Sequence, residues 1–162
     1  MKIAATLAVA FLWAASAAAQ THVSGTVTCG PPQTQTPVEI GDRAGHTLTV
    51  AQFHGAGSKP LEIAGQESGD TVTTESMESF GNRFRERGYD VITWPGGEKS
   101  VDSFFGRGRT NAPKLVAGGG RWRFTHGTGK LAGIKGGGTY SCKPTATGTA
   151  CDVEGSYTLR AK

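Results

Sequence analysis

Long apolar runs are scarce in this sequence of 162 residues. One follows Lys2 and ends in the small residues Ala17 to Ala19, and no later segment approaches the ~18 apolar residues of a transmembrane helix. A basic residue, a short apolar stretch and a small-residue cleavage site are typical of a secretory signal peptide. We therefore expect residues 1–19 to be a cleaved signal and residues 20–162 to form one exported domain, periplasmic or extracellular, without a membrane span.

Cysteine is also rare, with three residues and no CxxC spacing, which argues against the common zinc sites. In an exported chain, three cysteines indicate one disulfide and one free thiol. The segment between Cys142 and Cys151 is rich in turn formers, so a disulfide between these two is predicted, with Cys29 free. Pairing of Cys29 with Cys151 stays open if the first and last strands are neighbours.

Histidines are few and scattered. His22, His46, His54 and His126 show no spacing typical of a metal site or a catalytic triad. The glycines of segment 106–109 lack the lysine and the serine or threonine of a phosphate-binding loop. We therefore predict no metal site and no cofactor, and the sequence assigns no catalytic residue.

The charge excess is small, with 17 Lys and Arg against 13 Asp and Glu and a net charge of +4. Arginines cluster on three segments, but several of them are interleaved along the chain with acidic residues. The arginines are Arg83, Arg85, Arg87, Arg107, Arg109, Arg121 and Arg123, and the acidic residues are Glu78, Glu86 and Asp90. This pattern favours solvated strand faces of mixed charge, so no nucleic-acid partner is expected.

Helix-compatible segments are nearly absent, because 25 glycines make a helical bundle too costly. Apolar residues instead alternate with polar ones, most clearly from Cys151 to Leu159. We predict an all-β domain of seven or eight antiparallel strands, closed into a barrel because closure removes exposed edges. Segment 94–98 is expected to form a hairpin turn, segment 30–37 a loop, and segment 128–134 a short helix, while segment 74–87 is ambiguous.

One segment carries a family resemblance. A strand beginning at Trp122 is followed by GTGKLAGIKGGGTY, which ends at Tyr140, and this pattern resembles the C-terminal half of allene oxide cyclase-like barrels. Segments 38–46, 88–91 and 95–98 are similar too, so the likeness spans most of residues 38–142. The resemblance implies a single, roughly eight-stranded antiparallel barrel of calycin type, as in small secreted bacterial proteins. No catalytic position of the plant cyclase carries over to this sequence.

A barrel of this size is either filled by side chains or open to one small ligand. The candidate cavity residues lie on apolar strand faces in the C-terminal half, namely Trp122, Phe124, His126, Tyr140 and Tyr157. We interpret the chain as a non-catalytic exported protein whose partner is a small apolar ligand, with His126 bonding the ligand's polar end. The alternative is an isomerase or cyclase acting on a lipid-like substrate held in the cavity, and a buried carboxylate there would favour it. The sequence does not specify an oligomeric partner.

Overall fold

The computed structural model describes residues 20–111 and 114–159, so the predicted signal peptide lies outside the described residues. Strands account for most of this part of the chain, and one 3-10 turn at Gly129–Leu131 interrupts them. The strands are β1 (Thr21–Cys29), β2 (Thr34–Glu39), β3 (His46–Lys59), β4 (Glu62–Ile63), β5 (Gln66–Glu67), β6 (Thr71–Phe80), β7 (Arg83–Thr93), β8 (Lys99–Asn111), β9 (Lys114–Gly127), β10 (Lys135–Pro144) and β11 (Thr149–Thr158). The predicted all-β class is confirmed. Within the described ranges no helix has the length and apolarity needed to cross a membrane.

Hydrogen bonding runs in a ring through eight strands. The order is β1-β11-β10-β9-β8-β7-β6-β3, and β3 pairs back with β1. Every neighbouring pair is antiparallel. The pairing of β1 with β3 contains a register shift between Thr26 and Val27. Each of the eight strands pairs with a neighbour on both sides over at least part of its length. Closure therefore limits the exposed strand edges to which another chain could add.

Strand β2 lies outside the ring and corrects the prediction of a loop through Pro37. It pairs only with β3, Pro37 lies opposite Thr49, and all six residues of β2 are exposed. A proline lacks the N–H group that a central strand must donate, but an edge strand tolerates it. The loop prediction was therefore wrong from Thr34 onwards.

Glycines mark the turns that connect the strands. At the predicted turn between β7 and β8, the Trp94 N–H donates to the Glu98 carbonyl at 2.9 Å, which confirms the hairpin. The ambiguous segment 74–87 forms most of β6 and the start of β7, and its turn contains Gly81 at a φ of +59°. The predicted helix at 128–134 is shorter than expected, since only Gly129–Leu131 forms a turn of 3-10 helix.

The interior of the ring is filled at the end where β7 stops and β8 starts. Trp94 donates its indole N–H to the Ser100 hydroxyl at 2.9 Å, and both residues are buried. The apolar side chains packed at and near this end are Val23, Leu61, Ile63, Ile92, Trp94, Phe104, Trp122, Phe124, Leu131, Ile134 and Tyr157. This end supplies the hydrophobic core, and the opposite end of the ring is open.

The predicted disulfide between Cys142 and Cys151 is present, and Cys29 is a free thiol. The two bonded residues lie directly opposite each other on β10 and β11. Strand β1 does neighbour β11, as the alternative pairing requires, but Cys29 lies opposite Thr149 while Cys151 lies opposite Val27. The strand register therefore decides between the two pairings.

Candidate functional site

The open end of the ring contains a cavity of about 440 Å³. Its wall is mostly apolar and includes five aromatic side chains besides Tyr140. Three of the five predicted cavity residues line it, namely Trp122, Phe124 and Tyr140. The Trp122 and Phe124 rings pack edge to face with centroids 5.0 Å apart, and Trp122 donates its indole N–H to the Thr139 carbonyl at 3.2 Å. These contacts orient the aromatic wall at the bottom of the cavity.

Two inward-facing glycines make room for the aromatic side chains. A Cβ atom on Gly88 would lie 2.6 Å from the Phe104 ring, and one on Gly106 would collide with the Tyr140 hydroxyl. Larger residues at these two positions would push both rings into the cavity. Glycine is therefore required here for close approach of side chain to backbone, not for an unusual φ.

Four carboxyl side chains line the same cavity. Glu75 comes from β6, Glu86 and Asp90 from β7, and Asp102 from β8. Lysine, arginine and histidine are absent from the lining formed by the described residues. Among the described residues, the cavity is thus an apolar chamber with an acidic side and no basic side chain on its wall.

Hydrogen bonds reach only two of these four groups. Tyr140 donates its hydroxyl proton to Glu86 Oε1 at 2.6 Å, and Thr73 donates to Asp90. Glu75 and Asp102 have no hydrogen-bond partner among residues 20–111 and 114–159, although Asp102 is only 5% exposed. Buried carboxylates without partners are costly unless they are protonated or meet a cation. In the same ranges no group of three His, Cys, Asp or Glu residues is arranged to hold a metal ion.

Burial raises the pKa of all four carboxyl groups. The pKa of Glu75 rises to about 7, through burial first and then through the charges of Glu86 and Asp90. The pKa of Asp90 rises to about 6 despite the hydrogen bond from Thr73. Burial also raises the pKa of Asp102 well above its usual range and that of Glu86 more moderately, because the Tyr140 hydroxyl stabilises the Glu86 anion. Protons therefore leave and enter this cluster near neutral pH.

His126, a predicted ligand contact, is exposed and lies outside the cavity wall. Strand β9 has a bulge where it pairs with β8, because Val101 lies opposite His126 while Asp102 lies opposite Phe124. The extra residue, Thr125, shifts the alternation by one position. Simple alternation from Trp122 therefore assigned His126 to the wrong face.

Tyr157 is buried as its alternation predicts, but it belongs to the filled end of the ring. Its hydroxyl accepts a hydrogen bond from the Ala64 N–H at 3.1 Å, next to the short strands β4 and β5. Ala64 has a φ of +54°, which alanine rarely adopts. Tyr157 therefore helps to hold the connection that closes this end, and it does not line the cavity.

A separate polar cluster lies outside the cavity wall. His46 Nδ1 is 2.6 Å from Asp42 and its Nε2 is 3.0 Å from Glu78, while Arg43 stacks over Phe80 at 3.9 Å. The bonds to Glu78 and Asp42 raise the pKa of His46. These contacts fasten the turn before β3 to β6.

Sequence reasoning missed the acidic side of the cavity. Its signal was present in β7, where Glu86 and Asp90 share the alternation phase of Phe84 and Ile92. The assumption that charged residues face water hid this signal, because carboxyl groups are seldom fully buried.

The chain matches no protein-family model, and it matches no curated protein sequence at a significant level. The resemblance to allene oxide cyclase-like barrels therefore remains an expectation.

Proposed function

We propose that this protein binds one small, largely apolar molecule that carries a protonated amine. The main support for this proposal is the cavity itself, whose apolar wall bears four carboxyl groups and, among the described residues, no basic side chain. Aromatic walls favour a flat or hydrophobic body, and a few placed polar groups then select its orientation. A protonated amine next to Glu75 and Asp102 would donate charge-assisted hydrogen bonds to two carboxylates that accept none from the described residues.

A matched pair of ligands tests this proposal. Naphthalene-1-methylamine and naphthalene-1-methanol share one apolar body and differ in the charge of the polar group. We expect calorimetric titration to show tighter binding of the amine at about pH 8 and loss of that preference at about pH 5, because the carboxyl groups become protonated. Glu75→Gln should weaken the amine about tenfold or more and leave the alcohol unchanged.

His126→Ala is the control, since His126 is exposed and does not line the cavity. It should change neither affinity. Equal binding of both ligands with no effect of Glu75→Gln would reject the cationic group, and failure of both ligands to bind would reject the cavity as their site.

A second candidate is an isomerase or cyclase that holds a lipid-like substrate in the cavity. One observation favours it: burial sets the pKa of Glu75 at about 7, the range in which a carboxyl group can act as both acid and base at neutral pH. The measurement is exchange of activated C–H protons for solvent deuterium in unsaturated fatty-acid derivatives, followed by nuclear magnetic resonance. Glu75→Gln should slow such exchange about a hundredfold or more. Equal rates in both proteins would reject this candidate.

We also propose that the chain is an exported member of the allene oxide cyclase-like barrels. The disulfide between Cys142 and Cys151 supports an oxidising compartment, and the hydrogen-bonded ring of eight strands supports the barrel class. Mass spectrometry of the protein from its own host should find Gln20 as the first residue. Retention of Met1 would contradict export through the predicted signal.

A further inference from the structure

The outer face of strands β7, β8 and β9 carries a cluster of arginines that we call the arginine face. The strand register arranges it in four cross-strand rows. Taken from β7 to β9, the rows are Arg83–Arg109–Ala117, Arg85–Arg107–Gly119, Arg87–Phe105–Arg121 and Tyr89–Ser103–Arg123. No acidic residue occupies any of these positions, and all of the arginines are exposed.

These arginines form no ion pair in the described part of the chain, since Glu78 of β6, which lies opposite Arg85, contacts His46 at 3.0 Å instead. The ion pairs there involve Arg43, His46 and Lys143, and none involves the arginine face. Arg83 faces Arg109 directly, and Arg85 faces Arg107. Like charges placed opposite each other on a sheet are destabilising, so the folded state gains nothing from this arrangement.

Two exposed aromatic rings lie within the same face. Phe105 is 64% exposed and has Arg87 on one side and Arg121 on the other, while Tyr89 is 58% exposed in the next row. A large exposed apolar ring between two cations is a place where a flat aromatic group can stack while its anionic neighbours meet guanidinium groups. The ligand that combines flat rings with regularly spaced anions is a nucleic acid.

We propose that the arginine face binds single-stranded nucleic acid, with bases stacking on Phe105 and Tyr89 and phosphates held by the arginines. The expectation of no nucleic-acid partner rested on the mixing of charges along the chain. Two of the three acidic residues behind that expectation, Glu86 and Asp90, point into the cavity. The third, Glu78, belongs to β6 and borders the arginine face at Arg85, so the face itself carries no acidic side chain.

Curvature favours a flexible strand over a flat membrane. In a ring of eight strands, β7 and β9 lie on either side of β8 and face directions about a quarter-turn apart. A flat bilayer would therefore meet mainly the side chains of β8, whereas a flexible single strand can follow the curve and reach all three strands. Arginine, rather than lysine, also suits bidentate phosphate contacts and stacking on bases.

Fluorescence anisotropy with a labelled twelve-nucleotide thymidine strand tests the proposal. If about five phosphates are neutralised, the logarithm of the binding constant should fall with the logarithm of salt concentration with a slope of about −3.5. The triple variant Arg85→Gln, Arg107→Gln and Arg121→Gln should weaken binding about tenfold or more and make the slope shallower by about 2 units.

The matched control removes the same charge elsewhere. Lys59, Lys130 and Lys135 are exposed and lie outside β7, β8 and β9. Their triple substitution to glutamine should change affinity less than about twofold, because salt screens charges that lie far from the bound strand. An equal loss in both triple variants would mean that net charge alone attracts the strand, and the proposal would fail.

Phe105→Ala separates nucleic acid from other polyanions. Loss of stacking should weaken the thymidine strand about fivefold to a hundredfold without changing the salt slope. Inorganic polyphosphate, which has no bases, should bind wild type and Phe105→Ala equally. If Phe105→Ala leaves the thymidine strand unaffected, or if vesicles of phosphatidylglycerol bind while the strand does not, the proposal is overturned.

Discussion

The inner and outer faces of β7 carry opposite charges, although their residues alternate along one segment. Glu86 and Asp90 point into the cavity, whereas Arg85 and Arg87 are exposed on the outside. Read along the chain, these residues form a nearly neutral mixture. Folded into a strand, they are separated by the sheet, because successive side chains point to opposite faces.

The two faces also differ in what surrounds each charge. On the inside, burial penalises the charged form and raises the pKa of Asp90 to about 6. On the outside, water solvates each guanidinium group, so the arginines stay charged at little cost. Charges of opposite sign that alternate along a strand therefore predict one acidic face and one basic face. They do not by themselves predict a surface of mixed charge.

The largest expected difference between the faces is in packing. Trp122 and Arg121 are neighbours in β9, one buried in the core and the other exposed. Trp122→Ala should lower the free energy of unfolding by about 3–5 kcal/mol, whereas Arg121→Ala should change it by no more than about 0.5 kcal/mol. Urea unfolding followed by fluorescence measures both, and similar losses would contradict the assignment of faces.

The next effect is a dependence of stability on pH. Because the folded pKa of Glu75 lies near 7 and its ordinary value is 4.5, the folded state binds more protons than the unfolded state between these values. Stability should therefore fall as pH rises through this window, by about 3 kcal/mol from Glu75 alone. The raised pKa values of Glu86, Asp90 and Asp102 act in the same direction, as does that of His46.

Glu75→Gln isolates this contribution. Urea unfolding at about pH 4.5 and about pH 7.5 should show a much smaller fall in the variant. Glu154→Gln, on an exposed outer position of β11, is the control and should keep the wild-type fall. A wild-type protein that becomes more stable across this range would show that the inner carboxyl groups are not buried.

A smaller effect is expected from the hydrogen bond inside the cavity. Tyr140→Phe removes the donor that lies 2.6 Å from Glu86 and keeps the ring. The free energy of unfolding should fall by about 1.5–2 kcal/mol where Glu86 is ionised, and less at low pH where it is protonated. A loss that does not change with pH would mean that the hydroxyl serves packing alone.

The smallest expected effect has the opposite sign. Arg107 lies opposite Arg85, so Arg107→Glu replaces a repulsive cross-strand pair by an attractive one. Stability should rise by about 0.2–1 kcal/mol at low salt and the gain should shrink as salt is added. Arg123→Glu is the comparison, because Arg123 lies opposite Ser103 and Gly137, and its gain should be smaller.

Sequence patterns predicted those features that depend on local chemistry. Alternation in β11 placed Val153 and Tyr157 inside, and the turn residues between Cys142 and Cys151 predicted their disulfide. The sequence pattern did not predict strand β2, because Pro37 is excluded from central strands but tolerated in an edge strand. It failed at His126 because a bulge depends on the partner strand, which the local sequence does not reveal.

The amino-acid sequence by itself determined that this protein is all-β, that its turns lie at glycines, and which residues of each regular strand share a face. These properties follow from backbone preferences and a two-residue period. The tertiary structure decided that β3 returns to β1, that one end of the ring is filled while the other stays open, and that Glu75, Glu86, Asp90 and Asp102 meet in one cavity. Those features depend on register and on which strands become neighbours, and both are fixed only when distant segments pack together.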